Sequence, residues 1–254
     1  MQDEIALVTG AGAGIGRAIA LRLGSEGAVV VVVDVAAGGA DTARRIEADG
    51  GRATFVPTDV TVEADLREAF ASAERRFGNL SVVVNNAGGA PEPYFPEADP
   101  SHWGRTLDLN LRSVMLGTQL GIWAMRARGG GAIVNISSMA GVGYGSHDAP
   151  EYAASKAAVV RLTAALAPLK EELSVRVNCI CPGWVGTEAV QRALAEMSQE
   201  EREAQSFPPP PVLIQPEEIA ETVMMFIRDE SLAGRVMIWP DEEPRRLVPL
   251  DAQY

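Results

Sequence analysis

From residue 5 to about residue 182, continuous apolar runs alternate with stretches whose apolar residues recur at helical spacing. The runs 5–8, 29–34, 54–56, 80–85, 132–137 and 175–180 are rich in Val and Ile and show no polar alternation. That pattern marks strands buried on both faces of a parallel sheet. The stretches 15–25, 40–49, 63–77, 102–126 and 152–173 have the period of amphipathic helices. Alternation at this rhythm predicts an α/β fold, a doubly wound parallel sheet of about seven strands with helices on both faces. A helix over 216–228 and a strand over 235–239 complete it, and residues from 240 onward read as an irregular tail. Pro168 inside the fifth helical stretch predicts a kink or an early end. Neither an internal repeat nor a linker divides the chain, so one domain over 1–254 is expected. Segment 188–212 differs: a charged helical pattern over 191–204 runs into Pro208-Pro209-Pro210-Pro211, which cannot continue a helix. It reads as a loop or lid over substrate, or equally as a fixed surface helix.

The formal net charge of −12 over 254 residues speaks against nucleic-acid or anionic-membrane partners, which call for clustered Lys and Arg. No apolar run approaches the roughly 20 residues that span a bilayer. The start Met1-Gln2-Asp3-Glu4 has none of the marks of a secretory leader. Cys179 and Cys181 lie two apart on one predicted strand, hence on one face, where a disulfide has poor geometry. Two buried thiols in a reducing, cytoplasmic setting are expected, and no metal site.

After the first strand, Thr9-Gly10-Ala11-Gly12-Ala13-Gly14-Ile15-Gly16 opens a helix. Glycines there allow a tight turn and a close backbone approach, and the helix N-terminus offers N–H groups to a pyrophosphate. Asp34 ends the second strand, where a carboxylate accepts hydrogen bonds from the adenosine ribose and repels a 2′-phosphate. NAD rather than NADP is therefore the expected cofactor. Asp59 and Val60, after the third strand, are candidates to flank the adenine; a turn-forming Asp59 is the alternative.

Tyr152 and Lys156 lie four apart, on one face of a helix. A phenol with an ordinary pKa near ~10 is a poor base at neutral pH, and a neighbouring ammonium favours its ionised form. Ser137 and Ser138 end the fifth strand, on the side where open α/β sheets bind ligands.

These residues resemble the short-chain dehydrogenase/reductase family, over nearly the whole chain. Thr9–Gly16 is similar to its glycine loop, and the resemblance implies a Rossmann fold binding the cofactor at Gly10, Gly12, Ala13, Gly14, Ile15 and Gly16. Asn85-Asn86-Ala87-Gly88 looks like its Asn-Asn-Ala-Gly element, with Asn86, Ala87 and Gly88 against the cofactor. Asn110, Ser138, Tyr152 and Lys156 match its catalytic set. Pro182-Gly183, with Val185 and Thr187, is similar to the segment that fixes the nicotinamide carboxamide.

The resemblance implies hydride transfer between NAD(H) and a secondary alcohol or ketone. Tyr152 would exchange the proton, Lys156 would lower its pKa and bind the nicotinamide ribose, and Ser138 would steady the oxygen. Asn110 would hold a water that relays the proton, and no metal is needed. It also implies a homotetramer or dimer pairing the helices over 102–126 and 152–173. The end Val236-Met237-Ile238-Trp239-Pro240-Asp241-Glu242-Glu243 departs from the family's Asp-Gly-Gly. Segments 89–95, 139–151 and 184–212 should wall the substrate pocket. Met139, Tyr144, His147 and Trp184 join Ser138 as substrate-binding candidates, with Tyr94, Phe207, Glu92 and Glu188 nearby. An apolar, bulky substrate is the mild preference, although packing roles would serve these aromatics equally well. Direction stays open between oxidation and NADH-dependent carbonyl reduction. A non-catalytic nucleotide-binding sensor would be expected to have lost Ser138, Tyr152 or Lys156.

Overall fold

In the computed structural model, which describes residues 1–2, 4–206, 208–240 and 243–249, five successive valines at 29–33 show how the sheet is built. Val30 and Val32 face one hydrophobic core, and Val29, Val31 and Val33 face the other. The two-residue period of a strand enforces this split. Strands β1 (Ile5–Thr9), β2 (Val29–Asp34), β3 (Arg52–Pro57), β4 (Val82–Asn85), β5 (Gly131–Ile136), β6 (Val175–Pro182) and β7 (Val236–Trp239) pair in parallel in the order β3-β2-β1-β4-β5-β6-β7. An eighth strand, β8 (Arg246–Leu247), adds antiparallel to β7. It corrects the expected count and the irregular tail: two residues set among charged neighbours carry no readable period.

Helices α1 (Gly14–Ser25), α2 (Gly38–Ala48) and α10 (Pro216–Arg228) bury their apolar stripes against one face of the sheet. Helices α3 (Glu63–Phe77) and α5 (Ser113–Arg128) cover the other. The strand order reverses between β1 and β4, which leaves a crevice above their C-terminal ends. No helix among the described residues is long and apolar enough to cross a membrane.

Three helical stretches are divided more finely than their periodicity indicates. The stretch 102–126 is α4 (Pro100–Leu107), a π-helical turn at Asp108–Arg112, and α5. The widened turn carries Asn110 into the interior, where it is fully buried. The stretch 152–173 ends α6 (Pro150–Ala165) before Pro168, and α7 (Leu169–Leu173) follows, in line with the expected early end. The stretch 191–204 is α8 (Glu188–Glu196) and α9 (Gln199–Glu203). A reciprocal cap starts the second helix, with Ser198 accepting from the Glu201 N–H and Glu201 accepting from the Ser198 N–H. Phe207 lies outside the described residues.

Cys179 and Cys181 are free, buried and on one face of β6, with sulfurs 4.0 Å apart. A polar cluster joins β4, β5, α5 and α6 in the interior. Asn85 and Asn135 are register partners on β4 and β5, and Asn85 Nδ2 donates to Asn135 Oδ1 at 2.9 Å and to Thr118 Oγ1 on α5 at 3.2 Å. Asn135 Nδ2 donates to Thr163 Oγ1 on α6 at 3.0 Å. All four residues are at most 3 % exposed. Asn135→Ala strands the donor of Asn85 in the interior, so we expect a loss of about 2–3 kcal/mol, measured by urea unfolding with an unchanged slope.

Candidate active site

The crevice opens into a cleft of about 1040 Å³. At one end, a Cβ on Gly16 would stand 2.1 Å from the Gly10 carbonyl oxygen, so only glycine lets α1 start this close to β1. Thr9 Oγ1 accepts the N–H groups of Asn86 (3.0 Å) and Ala87 (3.1 Å). Asn86 Nδ2 donates back to the carbonyls of Thr9 (3.0 Å) and Gly10 (3.1 Å). The ends of β1 and β4 are thereby tied into one floor.

The Asp34 carboxylate accepts the Gly12 N–H on Oδ2 at 2.7 Å and the Ala36 N–H on Oδ1 at 2.8 Å. A Cβ on Gly12 would lie 2.8 Å from that carboxylate, so a bare backbone is what admits it. Each oxygen keeps acceptor capacity, and Asp34 lines the cleft beside Val35, Thr58, Asp59 and Val60. The glycine cradle, a helix N-terminus and a carboxylate with acceptor capacity to spare fit the adenosine diphosphate half of a dinucleotide.

At the other end, Ser137 Oγ donates to the Lys156 carbonyl at 2.8 Å, pinning α6 to the end of β5. Ser138 accepts the Ala140 N–H at 3.1 Å and lines the same cleft as Tyr152. Lys156 Nζ donates to the Ile136 carbonyl at 3.0 Å and lies 5.6 Å from the centroid of the Tyr152 ring. Burial raises the Tyr152 pKa above its ordinary value; the nearby Ser138 side chain opposes this and Cys181 adds to it. Burial also lowers Lys156, to about 8, with Cys179 and Cys181 acting in the opposite sense. Desolvation thus disfavours charge on both members of the pair.

Asn110 does not reach the cleft surface. Its Oδ1 accepts the Gly89 N–H at 3.0 Å, and Nδ2 donates to the carbonyls of Gly89 (2.7 Å) and Thr106 (2.9 Å). His147 does reach the cleft; its Nδ1 accepts the Ala149 N–H at 3.0 Å and its ring centroid is 5.9 Å from that of Tyr152.

Of the residues singled out from sequence, Gly10, Ala13, Gly14, Ile15, Asp34, Asp59, Val60, Asn86, Ala87 and Gly88 line this one cleft. So do Ser138, Met139, His147, Tyr152, Lys156, Pro182, Gly183, Trp184, Val185 and Thr187. Gly12, Gly16 and Asn110 shape it from behind. Tyr144 is a correction: it is 87 % exposed, beside Gly143 with φ +79°, and is absent from the lining. Arg17, not among those residues, pairs with Glu188 at 2.7 Å across a separation of 171 residues. Nothing local to either residue signals that pair. Arg192, Met197 and Gln205, not singled out individually, line the cleft from the 184–212 segment expected to wall it.

The family model for short chain dehydrogenases matches residues 4–198. The chain belongs to that family. It is an oxidoreductase of the short-chain dehydrogenase type, a family that generally uses NAD(H) or NADP(H). It is 38 % identical over 231 residues to a cis-4-hydroxycyclohexanecarboxylate dehydrogenase of Sinomonas cyclohexanicum, covering 90 % of this chain and 91 % of that protein. It is 35 % identical over 231 residues to a cyclohexanol dehydrogenase of an Acinetobacter strain, covering 90 % and 89 %. The solved structure of a 7α-hydroxysteroid dehydrogenase, complexed with NADH and 7-oxo glycochenodeoxycholic acid, superposes with a TM-score of 0.85 at 31 % identity, over 97 % of this chain and 96 % of that one.

A buried ammonium with a depressed pKa destabilises the fold while it is charged. The cost is full below the folded-state pKa of about 8 and shrinks as pH rises towards the unfolded value of 10.5. We therefore expect Lys156→Met to melt a few degrees above the wild type at pH 7, for a gain of about 1–2 kcal/mol. The gap should narrow at pH 9.5, as scanning calorimetry of both proteins at the two pH values will show.

Proposed function

We propose that the protein is an NAD(H)-dependent oxidoreductase that interconverts an alicyclic secondary alcohol and its ketone, with Tyr152 as the proton-transfer group. The observation that carries this reading is the convergence of Tyr152, Ser138 and Lys156 on one cleft, with Lys156 Nζ 5.6 Å from the Tyr152 ring centroid. A bound nicotinamide dinucleotide supplies the hydride acceptor or donor. Tyr152 takes the proton from the carbinol oxygen, or returns it to the carbonyl oxygen. Ser138 donates to that oxygen as charge develops, a preorganised electrostatic contribution. Lys156, as the ammonium, favours the phenolate and reaches the nicotinamide ribose. Asn110 clamps Gly89 beside the site, and the second acceptor position on its Oδ1 suits a water that passes the proton outward.

Asp34 supports NAD over NADP, since its carboxylate suits two ribose hydroxyls and repels a third anion. Gly10, Gly12, Ala13, Gly14, Ile15 and Gly16 would seat the diphosphate, and Asp59 and Val60 would flank the adenine. Asn86, Ala87, Gly88, Pro182, Gly183, Val185 and Thr187 would enclose the nicotinamide half. Met139, His147 and Trp184 would wall the substrate, and the cyclic alcohols in the relatives' names support an alicyclic one. The direction of physiological flux is not encoded in these groups, which serve oxidation and reduction alike. The whole chain would act as one catalytic domain, with 188–212 as its substrate flap. Met115 and Trp123, apolar and half exposed on α5, support a homo-oligomer that pairs α5 and α6. The two free thiols suit a cytoplasmic setting.

Titration by energy transfer from tryptophan should show NADH binding well ahead of NADPH; the reverse order overturns the Asp34 argument. Tyr152→Phe should lower kcat by about 10²-fold or more on a cyclohexanol-type substrate, with NADH affinity within about twofold. Retained turnover sinks the assigned mechanism.

A further inference from the structure

The diphosphate of a dinucleotide seeks the free N–H groups and positive dipole end of a helix N-terminus. Here a carboxylate of the protein itself stands at that position. Glu188 Oε2 accepts the N–H of Gly14, the first residue of α1, at 3.1 Å. Its Oε1 pairs at 2.7 Å with Arg17, which also donates to the Gly12 carbonyl. Glu188 opens α8, and the Thr187 side chain before it lies 2.8 Å from where a Cβ of Gly14 would be. One contact therefore occupies the phosphate position and closes the first turn of α8 against the glycine loop.

The carboxylate is well suited to stay ionised. Its own backbone N–H, that of Gly14, and the charges of Arg17 and Arg45 hold its pKa below the ordinary value against the effect of burial. Its side chain remains 56 % exposed, so it can swing away without opening the core. Two anions cannot share the Gly14 N–H.

We propose that Glu188 is an internal competitor for the cofactor diphosphate. Binding displaces its carboxylate from Gly14 and Arg17 and releases α8, so cofactor affinity and the position of the 188–212 flap are linked. The inference rests on the dinucleotide reading of the cleft and adds a determinant of affinity and ligand selection. By mass action, the free energy of the closed contact is subtracted from dinucleotide binding. Ligands without phosphate at that position do not contest it.

The test compares wild type, Glu188→Gln and Glu188→Ala by calorimetric titration with NADH, ADP and adenosine. Both variants should bind NADH and ADP at least about fivefold more tightly than wild type, with adenosine changed less than about twofold. The ligand-free variants should also melt below ligand-free wild type, because the contact with α1 is gone. Unchanged or weaker NADH binding in variants of a wild type that does bind NADH removes the competitor and leaves the nucleotide site standing. An equal gain for adenosine also overturns the proposal. If neither wild type nor variants bind NADH or NADPH, the nucleotide reading falls and this inference falls with it.

Discussion

The hydrogen bond between Asn85 and Asn135 is the constraint on which the cleft depends. It joins β4 to β5 at fixed register, and Thr118 and Thr163 extend it to α5 and α6. Each asparagine sits just before a functional turn, Asn85 ahead of Asn86–Ala87 and Asn135 ahead of Ser137–Ser138. Helix α6 carries Tyr152 and Lys156 on the same framework. A slip of one residue would reverse the facing of every side chain on a strand and leave amides unpaired in the interior. Apolar packing alone would tolerate more variation than that.

Above this network the site is assembled from separate pieces of chain held by short polar contacts. Thr9 and Asn86 exchange hydrogen bonds between β1 and β4. Ser137 holds α6 to β5 through the Lys156 carbonyl, and Lys156 reaches back to the Ile136 carbonyl. The Tyr–Lys pair is thus set in place before any ligand arrives, in surroundings that disfavour its charged forms. A positive charge brought into the cleft would favour the ionised form of that phenol.

Much of this was legible in the amino-acid sequence, because its signals are local. The valine run of β2, the glycine loop, the Tyr152–Lys156 spacing and the Pro168 break each declare themselves within a few residues. What escaped depends on distance or on subtle geometry. The pair of Arg17 with Glu188 joins opposite parts of the chain. The π-helical turn at Asp108–Arg112 preserves the apolar rhythm on either side while rotating Asn110 inward. Tyr144 stands exposed and outside the cleft lining, although its aromatic ring suits a pocket wall. The break before α9 is a reciprocal cap, visible as Ser198 and Glu201 only after the helix end is known.

The short strand β8 has a further consequence. Without it, the four buried residues of β7 would present an open row of backbone donors and acceptors, a template onto which another polypeptide could add by strand pairing. Two residues, Arg246 and Leu247, occupy that row, with Pro244 and Pro249 close on either side. At the far side of the sheet, β3 begins at Arg52 and finishes at Pro57. Charge and proline at both margins keep the sheet from growing sideways, so a protein built around so many β-forming valines resists fibre-like self-association at its edges.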